Sequence, residues 1–194
     1  MKLFKLAAIS CMLIFVSNFT YAKPPKYLKG SAKDLEVMKG EATVDLKFDY
    51  TGLMIAKMKE KAWVAKQKQK GVDDPKQAEE EFNKFWYGEV IPHQEEEYLG
   101  WYNKNCKELW KLAKDAKSKY TLTVKPQTLF PYNNLGQIAV LTSTATVTET
   151  ASGKVLAIIE IPNINAAVPA LKERISMTYG GAGRALALFI LEGK

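Results

Sequence analysis

The chain has 194 residues, 28 Lys plus Arg against 21 Asp plus Glu, and a formal net charge of +7. A single histidine and two cysteines, one of them in a segment read below as removable, exclude a disulfide framework and zinc sites of the usual composition. The basicity is almost all lysine, with Arg174 and Arg184 as the arginines. It reads as solubility with some attraction to anionic envelope surfaces, not as nucleic-acid readout, which leans on the arginine fork.

In chain order, Lys2 and Lys5 precede an apolar run from Leu6 to Val16, and Thr20 and Ala22 are small residues placed for signal-peptidase cleavage before Lys23. Residues 1–22 therefore read as a secretory signal, too short to span a bilayer. An uncleaved anchor is the alternative. A lipoprotein reading of Cys11 meets the objection that apolar Met12 to Val16 continue past it. Cleavage would leave residues 23–194 as one domain, long enough for a real core.

Residues 23–40 mix Pro, Gly and Lys and read as an irregular lead-in with room for one short edge strand. "ATVDLKFDY" then alternates, with Ala42, Val44, Leu46, Phe48 and Tyr50 on one face, and marks a half-buried strand. Thr51 to Lys70 is rich in lysine and predicts partial helix around "KEKAWVAKQKQK", its lysines forming a solvated face. Asp74, Pro75 and Gln77 supply a cap, a first helical residue and a capping-box partner, and Gly88 is expected to end that helix. A longer helix is predicted from about His93 to Ser118, with Glu95, Glu96 and Glu97 at its start and Lys111, Lys114 and Lys117 toward its end. Leu99, Tyr102, Cys106, Leu109, Trp110 and Ala113 would form its buried stripe.

From Tyr120 the period becomes two. "YTLTVKPQTLF", "QIAVLTSTATVTET" and "KVLAIIEIPNI" predict three antiparallel strands joined by turns at "PYNNLG" and "ASG". Thr142, Thr144, Thr146 and Thr148 form the outward thread of the middle strand. No internal repeat and no long linker intervenes.

The last segment, from Pro169, carries "YGGAGR". A dinucleotide fingerprint needs a strand before its glycines, and here "LKERISMTY" is itself helical. Arg174, Arg184 and Glu192 interrupt any membrane span. The row Ser176, Gly180, Gly183 and Ala187 is instead the small side of a packed helix, allowing close backbone approach at a propensity cost of roughly 1 kcal/mol per glycine.

Candidate sites are sparse. His93 follows Pro92 at a helix start and reads as a capping or surface residue; Cys106 lies on the apolar stripe and reads as a buried small hydrophobe. Carboxylate runs are explained by caps and helix dipoles, and no catalytic residue, metal ligand or cofactor is assigned. Aromatic residues, however, crowd between Phe82 and Trp110. Trp101, Tyr98 and Trp86 are nominated as a ligand-binding flank, with Trp101 turned about 100° from the buried stripe by helical geometry.

The succession of "VDLKFDYTG", an aromatic helical middle, "YTLTV", "TASGKV" and "YGGAGRALALFI" resembles small exported proteins of Bacteroidetes-type bacteria. More distantly it is similar to the N-terminal domain of TolB and related cell-envelope α/β domains. The resemblance implies an envelope setting and transfers no site residue. The expected fold is a single α+β domain of order β-α-α-β-β-β-α, a mainly antiparallel sheet with helices on one face. The expected function is an exported, periplasmic or envelope domain that binds a protein partner or surface polymer without catalysis, with no nucleic acid and no transmembrane helix after residue 22. The alternative is a glycan-binding protein or small hydrolase using the aromatic flank.

Overall fold

A computed structural model describes residues 23–132 and 138–193. Residues 1–22, read above as a secretory signal and including Cys11, and most of the "PYNNLG" stretch lie outside these residues. The remainder is an α+β fold built on one sheet.

The sheet runs β1-β8-β7-β6-β2-β5. Its centre is three long strands, β6 (Tyr120–Phe130), β7 (Ile138–Glu149) and β8 (Val155–Ala167), paired antiparallel. They form because period-two patterning, broken only at local register shifts, buries one face, here Leu122, Leu141, Ala145, Val147 and Ile159. β1 (Lys26–Lys29) closes one edge against β8, and β2 (Thr43–Phe48) adds parallel to β6 on the other side. Two-residue β3 (Met54–Ile55) and β4 (Met58–Lys59) form a hairpin whose first strand continues alongside β6.

The helical layer departs from the sequence expectation in three places. The lysine-rich segment holds only a short α1 (Glu60–Val64), with Trp63 and Val64 buried. α2 (Pro75–Phe85) starts as expected, the Asp74 side chain accepting from the backbone N–H of Lys76 and Gln77. Gly88 does not end the helix. The chain passes through one π-helical turn (Trp86–Val90) directly into α3 (Ile91–Asn105), and Pro92 falls in the first turn of α3. Finally, α3 stops at Asn105, well short of Ser118. Lys107 turns left-handed (φ 46°), and the Asn103 side chain clasps Leu112 through both its backbone groups at 2.8 and 2.9 Å. Residues Lys111–Ala113 become β5, parallel to β2, so Leu109, Trp110 and Ala113 do not continue a helical stripe.

α4 (Leu171–Glu192) packs on β7 and β8 and lies against α3. The small row makes that approach possible. A Cβ at Gly183 would stand 2.3 Å from the Tyr98 carbonyl oxygen, and one at Gly180 2.5 Å from Trp101 Cδ1. Among the described residues no helix is long and apolar enough to cross a membrane.

Candidate functional site

β2 ends where its alternating apolar face runs out of core. Phe48 and Tyr50, two residues apart, leave the strand half-buried with their rings stacked, centroids 6.0 Å apart and planes 11° from parallel. The chain then turns through Thr51 and Gly52 and returns on the β3–β4 hairpin into α1, bringing Lys59, Glu60 and Lys61 to the same cleft as the two rings. This cleft has a volume of about 640 Å³. An aromatic pair and a carboxylate in one concave surface are its chemical character.

Each wall residue is held from behind. Trp86, fully buried, donates its indole N–H to Glu60 Oε1 at 2.9 Å. No described residue donates to the other carboxylate oxygen, which remains an acceptor. Tyr98, also fully buried, sets its ring edge-on to Phe48 at 5.5 Å and 87°. The Tyr50 hydroxyl donates to Glu95 Oε1 at 3.0 Å and accepts from Gln94 Nε2 at 3.1 Å. Glu95 in turn pairs with Lys114 at 2.6 Å.

Behind this wall the polar accounting is incomplete. Gln94 Oε1 and the hydroxyls of Tyr98, Tyr102 and Tyr179 are buried and make no hydrogen bond with the described residues, a cost of about 1–3 kcal/mol apiece for an orphaned group. Burial, then the Tyr179 and Glu95 neighbours, pushes the Tyr50 hydroxyl far above the usual phenol value. The Tyr179 hydroxyl is pushed the same way by burial and then by Glu60 and Glu95. These phenols therefore stay protonated at physiological pH and can only donate or accept hydrogen bonds.

Asp49, at the cleft mouth, is fully engaged. Hydrogen bonds from the Thr51 side chain and from Lys125, the latter 2.9 Å away, hold its carboxyl down at about 2. It is a fixed anion, unsuited to giving up a proton.

The three nominated aromatics are thus not one surface. Trp86 and Tyr98 sit behind the cleft and position Glu60 and Phe48. Trp101 lies apart on the α4 side of α3, its indole N–H bonded to Glu97 at 2.9 Å and its ring against Gly180. The residues missed were Phe48, Tyr50 and Glu60. Their signal was an aromatic pair at the end of an alternating run, just before Thr51-Gly52. Elsewhere, Cys106 is buried with its thiol directed at the Asn103 carbonyl. Among the described residues no three His, Cys, Asp or Glu side chains gather where a metal ion could be held.

No protein-family model matches the chain, and no curated protein sequence matches it. Among solved structures it is similar to a PelC dodecamer from Paraburkholderia phytofirmans, with TM-score 0.41 and 10% identity over 84% of this chain and 98% of that one. A Xanthomonas campestris protein described as DUF330 gives TM-score 0.36 and 10% identity, over 80% and 88% of the two chains. At this level of likeness, nothing about ligand or assembly passes from those proteins to this one.

Proposed function

We propose that the chain is an exported, non-catalytic binding domain that holds a hydroxyl-rich polymer, such as an envelope polysaccharide, in the Phe48–Tyr50–Glu60 cleft. The observation that carries this reading is a stacked ring pair lining one cleft with a carboxylate that Trp86 holds through Oε1. A sugar ring offers an apolar C–H face to such a platform and hydroxyl donors to such an acceptor, while Lys59 and Lys61 add donors at the rim. Export is inferred from the Lys2 to Ala22 pattern and from the resemblance to exported envelope proteins.

Binding without hydrolysis is supported by the carboxylate inventory. Glycoside cleavage in its common form needs two carboxyl groups, one of them with a raised pKa. In the cleft itself both oxygens of Asp49 are engaged, Oδ1 by Thr51 and Oδ2 by Lys125, so it offers no free carboxylate to act as base or nucleophile beside Glu60. A protein partner added at a sheet edge has less support. Both edges are short, four residues in β1 and three in β5, and both carry lysines, a pattern that discourages strand addition.

The test is isothermal titration of soluble envelope oligosaccharides into the wild type, Glu60→Gln and Tyr50→Phe. Saturable heat that weakens about tenfold in Glu60→Gln is expected, since a hydrogen bond to a charged acceptor becomes a neutral one. Wild-type affinity in Glu60→Gln would remove the cleft from the reading.

A further inference from the structure

The lysine run after α1 was expected on a solvated helix face. It is not helical beyond Val64. It crosses the start of α2, pinned by the Gln69 N–H on the Ala78 carbonyl at 2.8 Å, and places Lys68 and Lys70 at the mouth of a second cavity of about 450 Å³. The opposite wall is the start of α4, with Leu171 and Arg174; Phe85 and Tyr132 complete it.

Arg174 is the unusual member. It is 2% exposed, and a guanidinium keeps its charge in proteins. Burying such a charge without an opposite one is expensive. Its Nη1 donates to the Val168 and Pro169 carbonyls at 2.8 and 3.1 Å, and the Tyr132 ring lies 5.0 Å over it. Its Nε is buried and unpartnered, and no described carboxylate comes within ion-pair distance of it. Lys68 and Lys70 likewise form no ion pair with a described residue, and no Asp or Glu lines the cavity. The 22-residue α4 starts here at Leu171, and its N-cap Ala170 supplies no side-chain cap; Glu173 in the first turn does not line the cavity.

We infer that this second cavity binds a phosphate-bearing ligand with a small apolar body. Three cations with no carboxylate among the residues that line the cavity match a group carrying about −1.5 to −2 charge better than a single carboxylate. Arg174 supplies the fixed fork at the floor, and Lys68 and Lys70 supply mobile charge at the mouth. Phe85 and Leu171 take the apolar body. Tyr132 is 48% exposed, so the guanidinium is reached by displacing one surface ring. None of these residues belongs to the Phe48–Tyr50–Glu60 cleft, and the inference stands or falls independently of it.

The experiment is isothermal titration at low salt with inorganic phosphate, phenyl phosphate and dihexanoyl phosphatidate below its micelle concentration. The protein variants are Lys68→Ala/Lys70→Ala and, as a charge-matched control, Lys33→Ala/Lys117→Ala. Arg174→Gln is a third variant, but loss of its buried bonds could unfold it, so the surface pair carries the decision. Saturable binding is expected, tighter for phenyl phosphate than for phosphate, weakened about tenfold in Lys68→Ala/Lys70→Ala and unchanged in the control. If the phosphatidate displaces phenyl phosphate, the site takes a lipid headgroup; if it does not, the site takes a soluble phosphoester. Absence of saturable binding with all three probes overturns the inference. So does equal weakening in both double variants, which would mean diffuse lysine charge.

Discussion

Two stretches of α4 are built on different terms. Along its middle, Gly180 and Gly183 let α3 come close, the Tyr98 and Tyr102 backbone lying against Gly183 and the Trp101 ring against Gly180. In the stretch before them, Arg174 Nε, Ser176 Oγ and the Tyr179 hydroxyl are buried without partners. The seam is set by close backbone approach; the stretch before it keeps polar groups unpaired, with Arg174 lining the second cavity. A helix can thus be packing seam along one stretch and cavity wall along another, and substitutions in the two should behave differently.

Gly183→Ala should have the largest effect. The added methyl meets the Tyr98 carbonyl oxygen, which is backbone and can move only if α3 moves. A loss of about 2–3 kcal/mol is expected, the overpacking cost outweighing the helix-propensity gain, measured by urea unfolding. Gly180→Ala meets only the Trp101 ring, a side chain that can shift, and should lose about 1 kcal/mol. The comparison sharpens with Gly100→Ala, where no neighbouring atom lies within 4 Å of the added carbon. That substitution should stabilise by up to about 1 kcal/mol. Equal effects at positions 100 and 183 would break the account of the seam.

In the stretch before the seam the sign reverses. Tyr179→Phe deletes an unpartnered buried hydroxyl and should be neutral or stabilising by about 1 kcal/mol, with thermal unfolding as the readout. A loss near 3 kcal/mol would show that the hydroxyl is bonded and the contrast between the two stretches is false.

The smallest effect concerns acid. Asp49 has its carboxyl lowered to about 2 by Thr51 and Lys125. A carboxylate lowered on folding stabilises above its unfolded value, and that contribution fades as pH falls from about 4 toward 2. Its side chain is 34% exposed, so solvent screening keeps the term small. Asp49→Asn should flatten the stability curve slightly over that window, with a small loss of stability near neutrality that disappears as pH falls toward 2.

Much of this was legible locally. "YTLTVKPQTLF" coincides with β6 because an alternating run flanked by charge can bury only one face. Asp74-Pro75 fixed the start of α2 because a cap is a contact between near neighbours. The failures were long-range. Gly88 looked like a helix end, yet it takes no left-handed conformation, and the π-turn carries the helix onward. "CKELWKLAK" has helical composition, but Lys107 turns away, and pairing with β2 claims Lys111–Ala113 as strand. The candidate site was missed for a related reason. Period two shows which way Phe48 and Tyr50 point, not how much core remains to cover them. Glu60, Gln94 and Tyr179 meet them only through the tertiary fold.

The most direct test of the central claim is backbone-amide NMR of the protein titrated with an envelope oligosaccharide. The account predicts saturable shifts concentrated between Phe48 and Lys61, with weaker ones at Trp86, Gln94 and Glu95 behind the wall. Shifts confined to the threonine face of β7 or to the α3–α4 seam would contradict it, as would an unchanged spectrum across a panel of such oligosaccharides.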